Sequence, residues 1–412
     1  MSTPEKPVVP PAPIRASDLR GLTRLGFDAT LGITGVVEAM HHTIARRAGI
    51  VGKAPTGRTS GITGVVYRTV RGTTRVLGGG VDALLAALTG RPDPAAASPR
   101  REALLAALNG VWGDHLADSG NTLSIPMGFR IGGQPLDLSG DTLAQQLPAA
   151  GGRLLVLVHG LCMNDLQWAR NGHDHGAALA RDFGYTPVYL HYNSGRHVSQ
   201  NGREFAGLLQ ALTGKWPVPV QELVIVGHSM GGLIARSACH IGEQAGHRWL
   251  EPLKQLVFLG TPHHGAPLER GGHWLDVLMG VSPYVAPFTR LGKARSAGIT
   301  DLRFGNLQDA DWHGRDRHHQ RHDDRIPTPL PAGVDVYLVA ATSGDSAGSL
   351  RDRVVGDGLV PLRSALGEHR DPARSLGVPD ANRRVVTSAS HWDLLDRMDV
   401  YAAVRTWLAP RG

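Results

Sequence analysis

The sequence predicts an α/β protein: a doubly wound, mostly parallel sheet with a cap insertion and an N-terminal helical region. Three observations predict it. Continuous apolar runs recur at "RLLVLVHG", "TPVYLHY", "ELVIVG", "LKQLVFLG", "VDVYLVAA" and "RRVVTSA", as strands covered on both faces require. Helical stretches separate most of them, for example 200–212, 230–244 and 394–408, which implies right-handed crossovers between parallel strands. Finally, "LVIVGHSMGGLIARS" (Leu223 to Ser237) sets a serine where an apolar run gives way to helix formers. Chemistry in such sheets gathers at the carboxyl ends of the strands.

Along the chain, residues 1–16 read as a disordered, polyproline-prone tail. Residues 17–120 read as a helical region rich in Ala, Leu and Gly. Within it "GITGVV" begins at Gly32 and again at Gly61, a short repeat that suggests two related helices or a helical hairpin. "GGGVDALLAALTG" and "SPRREALLAALNGVWGDHLA" add two amphipathic helices joined by a "RPDPAAASP" loop. The catalytic domain is expected over 121–412, opening with "TLSIPMGFRIGGQPLDL", two strands about a Gly-Gly turn. One stretch breaks the alternation, and connections that long often form lids or binding elements. We place a cap at 265–330, starting with the apolar "HWLDVLMGVSPYVAPF". Near its end, "DADWHGRDRHHQRHDDR" is dense in His, Arg and Asp. Irregular spacing and interleaved arginines favour a solvated loop there over a metal site.

Composition bounds the class. The 412 residues are 42% hydrophobic and carry a net charge of +7, which predicts a globular protein of two units rather than one. Seven basic residues and no acidic one lie between His41 and Val81. Such a strip suits an anionic surface such as lipid headgroups, and a plain solvated face equally well. No motif supports nucleic-acid binding. Two cysteines, Cys162 and Cys239, indicate neither a disulfide framework nor a Cys-based metal site. The opening lacks the apolar run of a secretory signal, and no 18-residue apolar stretch occurs. These features place the protein in the cytoplasm, with peripheral membrane association open through the basic strip.

The candidate chemistry starts at Ser229. Gly-X-Ser-X-Gly between strand and helix projects the serine from a strained turn, with Gly227 and Gly231 leaving room for close packing. A tetrahedral intermediate would need two backbone N–H donors. Met230 follows the nucleophile, and Leu161 follows His159-Gly160 in "LVLVHGLCMND". A base is expected after the last strand, where "RRVVTSASHWDLL" places His391; among 20 histidines its best rival is His369. Asp393 is read as a helix cap. The acid should follow "VDVYLVAA", where Asp345, Asp352 and Asp357 stand. Asp357 is chosen because Gly356 and Gly358 permit a tight loop that turns the carboxylate inward. "LGTPHHGAP" carries no acid before Glu269, which removes an earlier strand as its source. His263 and His264 are assigned supporting hydrogen bonds, and Cys162 is read as buried.

From about residue 122 to 410 the chain resembles the α/β-hydrolase fold, and within it bacterial lipases and PGAP1-type serine esterases. The residues that carry the resemblance are "VHGL", "GHSMGG", "LGTPHHG", "VGDGLVP" and "SHWDLL". It implies triad roles for Ser229, Asp357 and His391 and oxyanion roles for Leu161 and Met230. It also implies hydrolysis of an acyl ester or lipid through an acyl-enzyme, with no cofactor and no metal. Two alternatives stay open: acyl transfer on the same triad, and a non-catalytic scaffold.

Overall fold

A computed structural model describes residues 18, 20, 21, 23–25, 99–139, 142–266, 296–315, 323–344 and 356–410. The proline-rich tail, both "GITGVV" segments, the basic strip and the apolar part of the cap lie outside the described residues. So does "GGGVDALLAALTG". The chain forms two compact units, Met1–Ser98 with Asp118–Leu123, and Pro99–Ala117 with Ser124–Gly412. In the first, the Asn121 side-chain amide donates to the Gly21 carbonyl at 3.1 Å.

The second unit holds an eight-stranded sheet in the order β2-β1-β4-β3-β5-β6-β7-β8. The hairpin of β1 (Gly128–Ile131) and β2 (Gln134–Pro135) turns through Gly132 and Gly133, both at positive φ. This is the Gly-Gly turn read from the sequence. From β4 to β8 every pairing is parallel: β3 (Arg153–Val158), β4 (Thr186–His191), β5 (Glu222–His228), β6 (Leu253–Leu259), β7 (Asp335–Ala341) and β8 (Arg383–Val386).

The continuous apolar runs divide by strand alternation into two cores. Leu154, Val156, Leu223, Ile225, Leu256 and Phe258 face one side. They meet Phe205, Leu209 and Leu212 of α4 (Val198–Lys215), which recur at helical spacing. Leu155, Leu157, Val224, Val226, Val257 and Leu259 face the other side. There they meet α3 (His175–Phe183) and α8 (Met398–Trp407). The stretch expected as one helix at 394–408 splits, because a 3₁₀ turn (Asp393–Leu395) precedes α8.

α1 (Pro99–Asp118) departs from the sequence reading in two ways. The reading left it in the N-terminal region, with the catalytic domain starting at 121; the structure groups it with the sheet. Packing and ion pairing tie it there: Ala107 and Val111 join the core against the sheet, and Glu102, buried in α1, holds Arg130 of β1 at 2.9 Å. Nor is it simply amphipathic. Residues 106–111 are buried in succession, so the middle of the helix is covered on all sides. No helix among the described residues is long and apolar enough to cross a membrane.

Two buried histidines tie loops to this core without charge. His159 follows β3 and stacks on Tyr192, with ring centroids 4.2 Å apart. His175 opens α3, and its Nε2–H donates to the Leu394 carbonyl at 2.9 Å. Burial pushes His159 down to about 3 and His175 down to about 4. An unfolded chain protonates both near pH 6.5, whereas the fold keeps them neutral. Their contribution is therefore complete above pH 6.5 and is lost as the pH falls below it. Urea unfolding should show a loss of roughly 2 kcal/mol per histidine between pH 7 and pH 5. A stability that stays flat across that interval would mean that both rings are charged in the folded protein.

Candidate active site

β5 ends at His228 and α5 (Met230–Ala245) begins two residues on, leaving Ser229 alone to turn the chain. Its backbone sits at φ 54, ψ −123, a conformation that costs a non-glycine residue about 1–3 kcal/mol. Neighbouring hydrogen bonds hold it: the Ser229 N–H donates to the Leu259 carbonyl at 2.8 Å, and its own carbonyl accepts the Gly232 N–H at 3.1 Å. The two glycines of the pattern are sterically required. A Cβ at Gly231 would overlap the Val158 carbonyl oxygen, and one at Gly227 would lie 2.6 Å from the Gly232 nitrogen.

Asp357 and His391 meet across the carboxyl edge of the sheet. Gly356 and Gly358, at φ 55 and 94, bend the loop tightly around Asp357. Asp357 Oδ1 accepts the N–H groups of Leu359 at 3.0 Å and Val360 at 2.8 Å. That leaves Oδ2 to accept the His391 Nδ1–H at 2.7 Å. An imidazole donating from Nδ1 presents a lone pair at Nε2. His391 Nε2 is buried and has no hydrogen-bond partner among the described residues.

The surroundings of His391 fix its ring. A Cβ at Gly260 would lie 2.9 Å from His391 Cε1, so the ring rests directly on that glycine. The His391 carbonyl accepts the His228 Nε2–H at 3.2 Å. Burial holds His228 well below the usual histidine range, with the nearby His391 adding to the effect, which suits a neutral donor. Ser229 and His391 thus converge on one pair of residues, Leu259-Gly260. Ser229, Asp357 and His391 are 6%, 5% and 1% exposed, so bulk water is largely kept from them.

The two expected oxyanion donors lie on adjoining segments. Met230 is the first residue of α5, where a backbone N–H has no partner within the helix. Leu161 follows Gly160, and a Cβ on Gly160 would stand 3.1 Å from Ser229 Cβ. The loop is shaped by its neighbours: Cys162 N–H donates to Ser194 Oγ at 3.0 Å, and Met163 N–H to the Gly160 carbonyl at 3.3 Å.

Other candidates fall elsewhere. His369 pairs with Asp323 at 3.2 Å, remote from this cluster. Asp345, Asp352 and Glu269 lie outside the described residues. Asp393 does not cap α8, whose N-cap is Arg397; it accepts the Ser390 N–H at 2.8 Å and so shapes the loop that carries His391. His263 and His264 line a separate cavity. Cys162 and Cys239 are buried and unpaired, and burial pushes the Cys162 thiol up to about 12. Among the described residues no cluster of three or more His, Cys, Asp or Glu could hold a metal ion. The His-rich stretch of 309–325 is described only at 309–315 and 323–325.

Residues 149–321 match the family model of the PGAP1-like alpha/beta domain. The chain carries a mostly parallel eight-stranded sheet with flanking helices. The matched residues include Leu161, Ser229 and Met230 and stop short of Asp357 and His391. A lipase of Bacillus licheniformis, BlEst2 in its mature form, is 18% identical, with 63% of this chain and 92% of that chain covered at a TM-score of 0.40. Lipase B of Aspergillus fumigatus is 11% identical over 64% of this chain and 55% of that one, with a TM-score of 0.39. The Pyrococcus furiosus esterase Pf2001 is 13% identical over 63% and 80–81% respectively, with a TM-score of 0.35–0.36. No curated protein matches the chain.

One contributor to this candidate site is not evident from the sequence: α1. A Cβ at Gly110 would overlap Cys162 Sγ and lie 2.9 Å from Cys162 Cα, so the helix presses on the loop that carries Leu161. The signal was a glycine pair, Gly110 and Gly113, inside an otherwise helix-forming run. Glycine there disfavours a helix by about 1 kcal/mol and calls for a packing reason. On an exposed helix, Gly→Ala would therefore stabilise. Here Gly110→Ala should destabilise by about 1–3 kcal/mol through overpacking, and adding Cys162→Ala should recover part of that. Denaturant unfolding of the three variants reads both signs, and a stabilised Gly110→Ala would show that the helix does not press on Cys162.

Proposed function

We propose that the protein is a serine hydrolase that cleaves carboxylic esters of apolar acyl chains through an acyl-enzyme. The observation that carries this reading is His391 Nε2: buried, unpartnered and oriented by a carboxylate at its other nitrogen. Such a nitrogen is a base awaiting a proton. In this reading His391 Nε2 takes the proton of Ser229 as its Oγ attacks the ester carbonyl. The N–H groups of Met230 and Leu161 bind the oxyanion that forms. His391 then gives its proton to the departing alcohol, leaving the acyl group on Ser229. Water, deprotonated by the same nitrogen, releases the acid and restores the serine.

Asp357 stabilises the imidazolium and holds the tautomer without itself taking up the proton. Its loop suits that role. Because Oδ1 is occupied by two backbone N–H groups, the carboxylate cannot swing away from the imidazole without losing both.

Hydrolysis of p-nitrophenyl esters from short to long acyl chains tests the reading. Ser229→Ala should abolish activity at every length, and Asp357→Asn should lower kcat by about 10⁴-fold. An optimum at long acyl chains would support the apolar substrate, while a fluorophosphonate should label wild type and spare Ser229→Ala. Failure of the wild type to label would overturn the nucleophile assignment and favour a scaffold. Labelling with acyl transfer to an added alcohol but no hydrolysis would overturn the hydrolase in favour of a transferase.

A further inference from the structure

A cavity of about 520 Å³ lies apart from Ser229, Asp357 and His391, none of which lines it. One wall is cationic, made by Arg236, Arg325 and Arg374 together with the imidazoles of His263 and His264. Arg236 stands on α5, seven residues beyond Ser229, which is about 10 Å along the helix axis. An apolar wall containing Leu307, Leu330 and Leu376 completes the cavity.

Among the described residues, direct ion pairs on this wall reach Arg325 and Arg374 but not Arg236. Asp323 holds Arg325 at 2.7 Å and Arg374 at 3.4 Å, and His369 at 3.2 Å. Asp311, which also lines the cavity, accepts three backbone N–H groups, from Leu307, Gln308 and Ile326, and acts on Arg236 through space. Arg236 is 5% exposed and forms no ion pair among the described residues. Its Nη2 donates to the Thr328 carbonyl at 2.6 Å, a neutral acceptor. Burying a guanidinium without a countercharge is expensive. Burial, reinforced by Arg325, pushes Arg236 down to about 9.

The neighbouring imidazole adds a donor. Arg236 Nη1 lies 3.4 Å from His263 Nδ1, and a guanidinium can only donate. His263 Nδ1 is therefore the accepting nitrogen, and the proton resides on Nε2. His263 Nε2 and Arg236 Nε are both buried with no hydrogen-bond partner among the described residues. Arg236 thus lines the cavity without a direct ion pair among the described residues, its one carbonyl partner being neutral.

We infer that this cavity is a binding site for a phosphate-class oxyanion, free or carried on an organic group, with Arg236 as its principal countercharge. Phosphate oxygens would accept from the guanidinium donors of Arg236 and its neighbours. The apolar wall would accommodate an organic substituent. This site is independent of the ester chemistry proposed for Ser229, because none of its residues belongs to that cluster.

Inorganic phosphate is the first probe, titrated into the full chain by calorimetry at fixed ionic strength with chloride as the control. Phosphate should bind saturably and raise Tm beyond the chloride control. Arg236→Met and Arg374→Ala should each weaken binding at least tenfold, the second being at the partly exposed rim and so a safe variant for folding. A short-chain lipid with a phosphomonoester headgroup, kept below its aggregation threshold, should then be titrated against bound phosphate. Displacement identifies a headgroup as the source, and phosphate binding without displacement identifies a free anion; either supports the site. No phosphate effect beyond chloride, or an effect that Arg374→Ala and a folded Arg236→Met leave intact, overturns it. Esterase activity takes no part in this readout, so its presence or absence leaves the result unaffected.

Discussion

The site depends on a contact that contains no side chain. The start of α5 meets the end of β3 so closely that Gly231 stands against the carbonyl oxygen of Val158, with no room for a methyl group between them. From that approach much follows. α5 can begin directly after β5 only if a single residue reverses the chain, and Ser229 accepts the strained backbone conformation that this demands. The register of the sheet, with Val158 beside Gly227 and His228 beside Leu259, keeps three strand ends level. The loop after β3 and the first residue of α5 therefore arrive at the same place. Leu161 and Met230, the candidate oxyanion residues, stand on the two segments that this backbone contact joins.

The histidine side of the site obeys a different constraint, the cost of burying polar groups. Asp357 is divided: one oxygen closes its own loop and the other orients His391. His228 stays neutral and uses its one donor to hold the His391 backbone. Gly260 gives the His391 ring a flat seat. On His391 itself Nδ1 and the carbonyl are thereby committed, which leaves Nε2 as the ring nitrogen available for a proton.

How much of this was legible in the sequence follows from the range of the interactions involved. Strands read as continuous apolar runs because both faces are covered, and alternation then sorts Leu154 and Leu155 to opposite cores. The serine turn was legible because its cause is local: Gly227, Gly231 and the strand before them lie within a few residues. Asp357 could be singled out by flanking glycines, although its partnership with His391 spans 34 residues. The placement of Arg236 at a cavity, without a direct ion pair among the described residues, left no local trace. It arises where α5, the segment after β6 and the 323–330 stretch converge, and no pattern along the chain announces that meeting. Asp393 was misread as the cap of α8 because a 3₁₀ turn, decided by packing, intervenes before the helix.

α1 shows the same limit most clearly. By chain order it belongs to a helical region that precedes the sheet; by contact it belongs to the sheet. Its central residues are buried on every side, a condition that an appended amphipathic helix would not meet. Through Gly110 the helix touches Cys162, next to Leu161. Through the carbonyl of the same Gly110 it accepts the Ser296 hydroxyl at 2.6 Å, and through Asp114 it accepts the Ala297 N–H at 2.9 Å. Ser296 in turn caps α6 (Ala297–Phe304), the first described element after residue 266. One residue of α1 is therefore packed against the loop bearing Leu161 and bonded, through its carbonyl, to the point where the described chain resumes after residue 266. A side chain at position 110 would push that loop away from the helix.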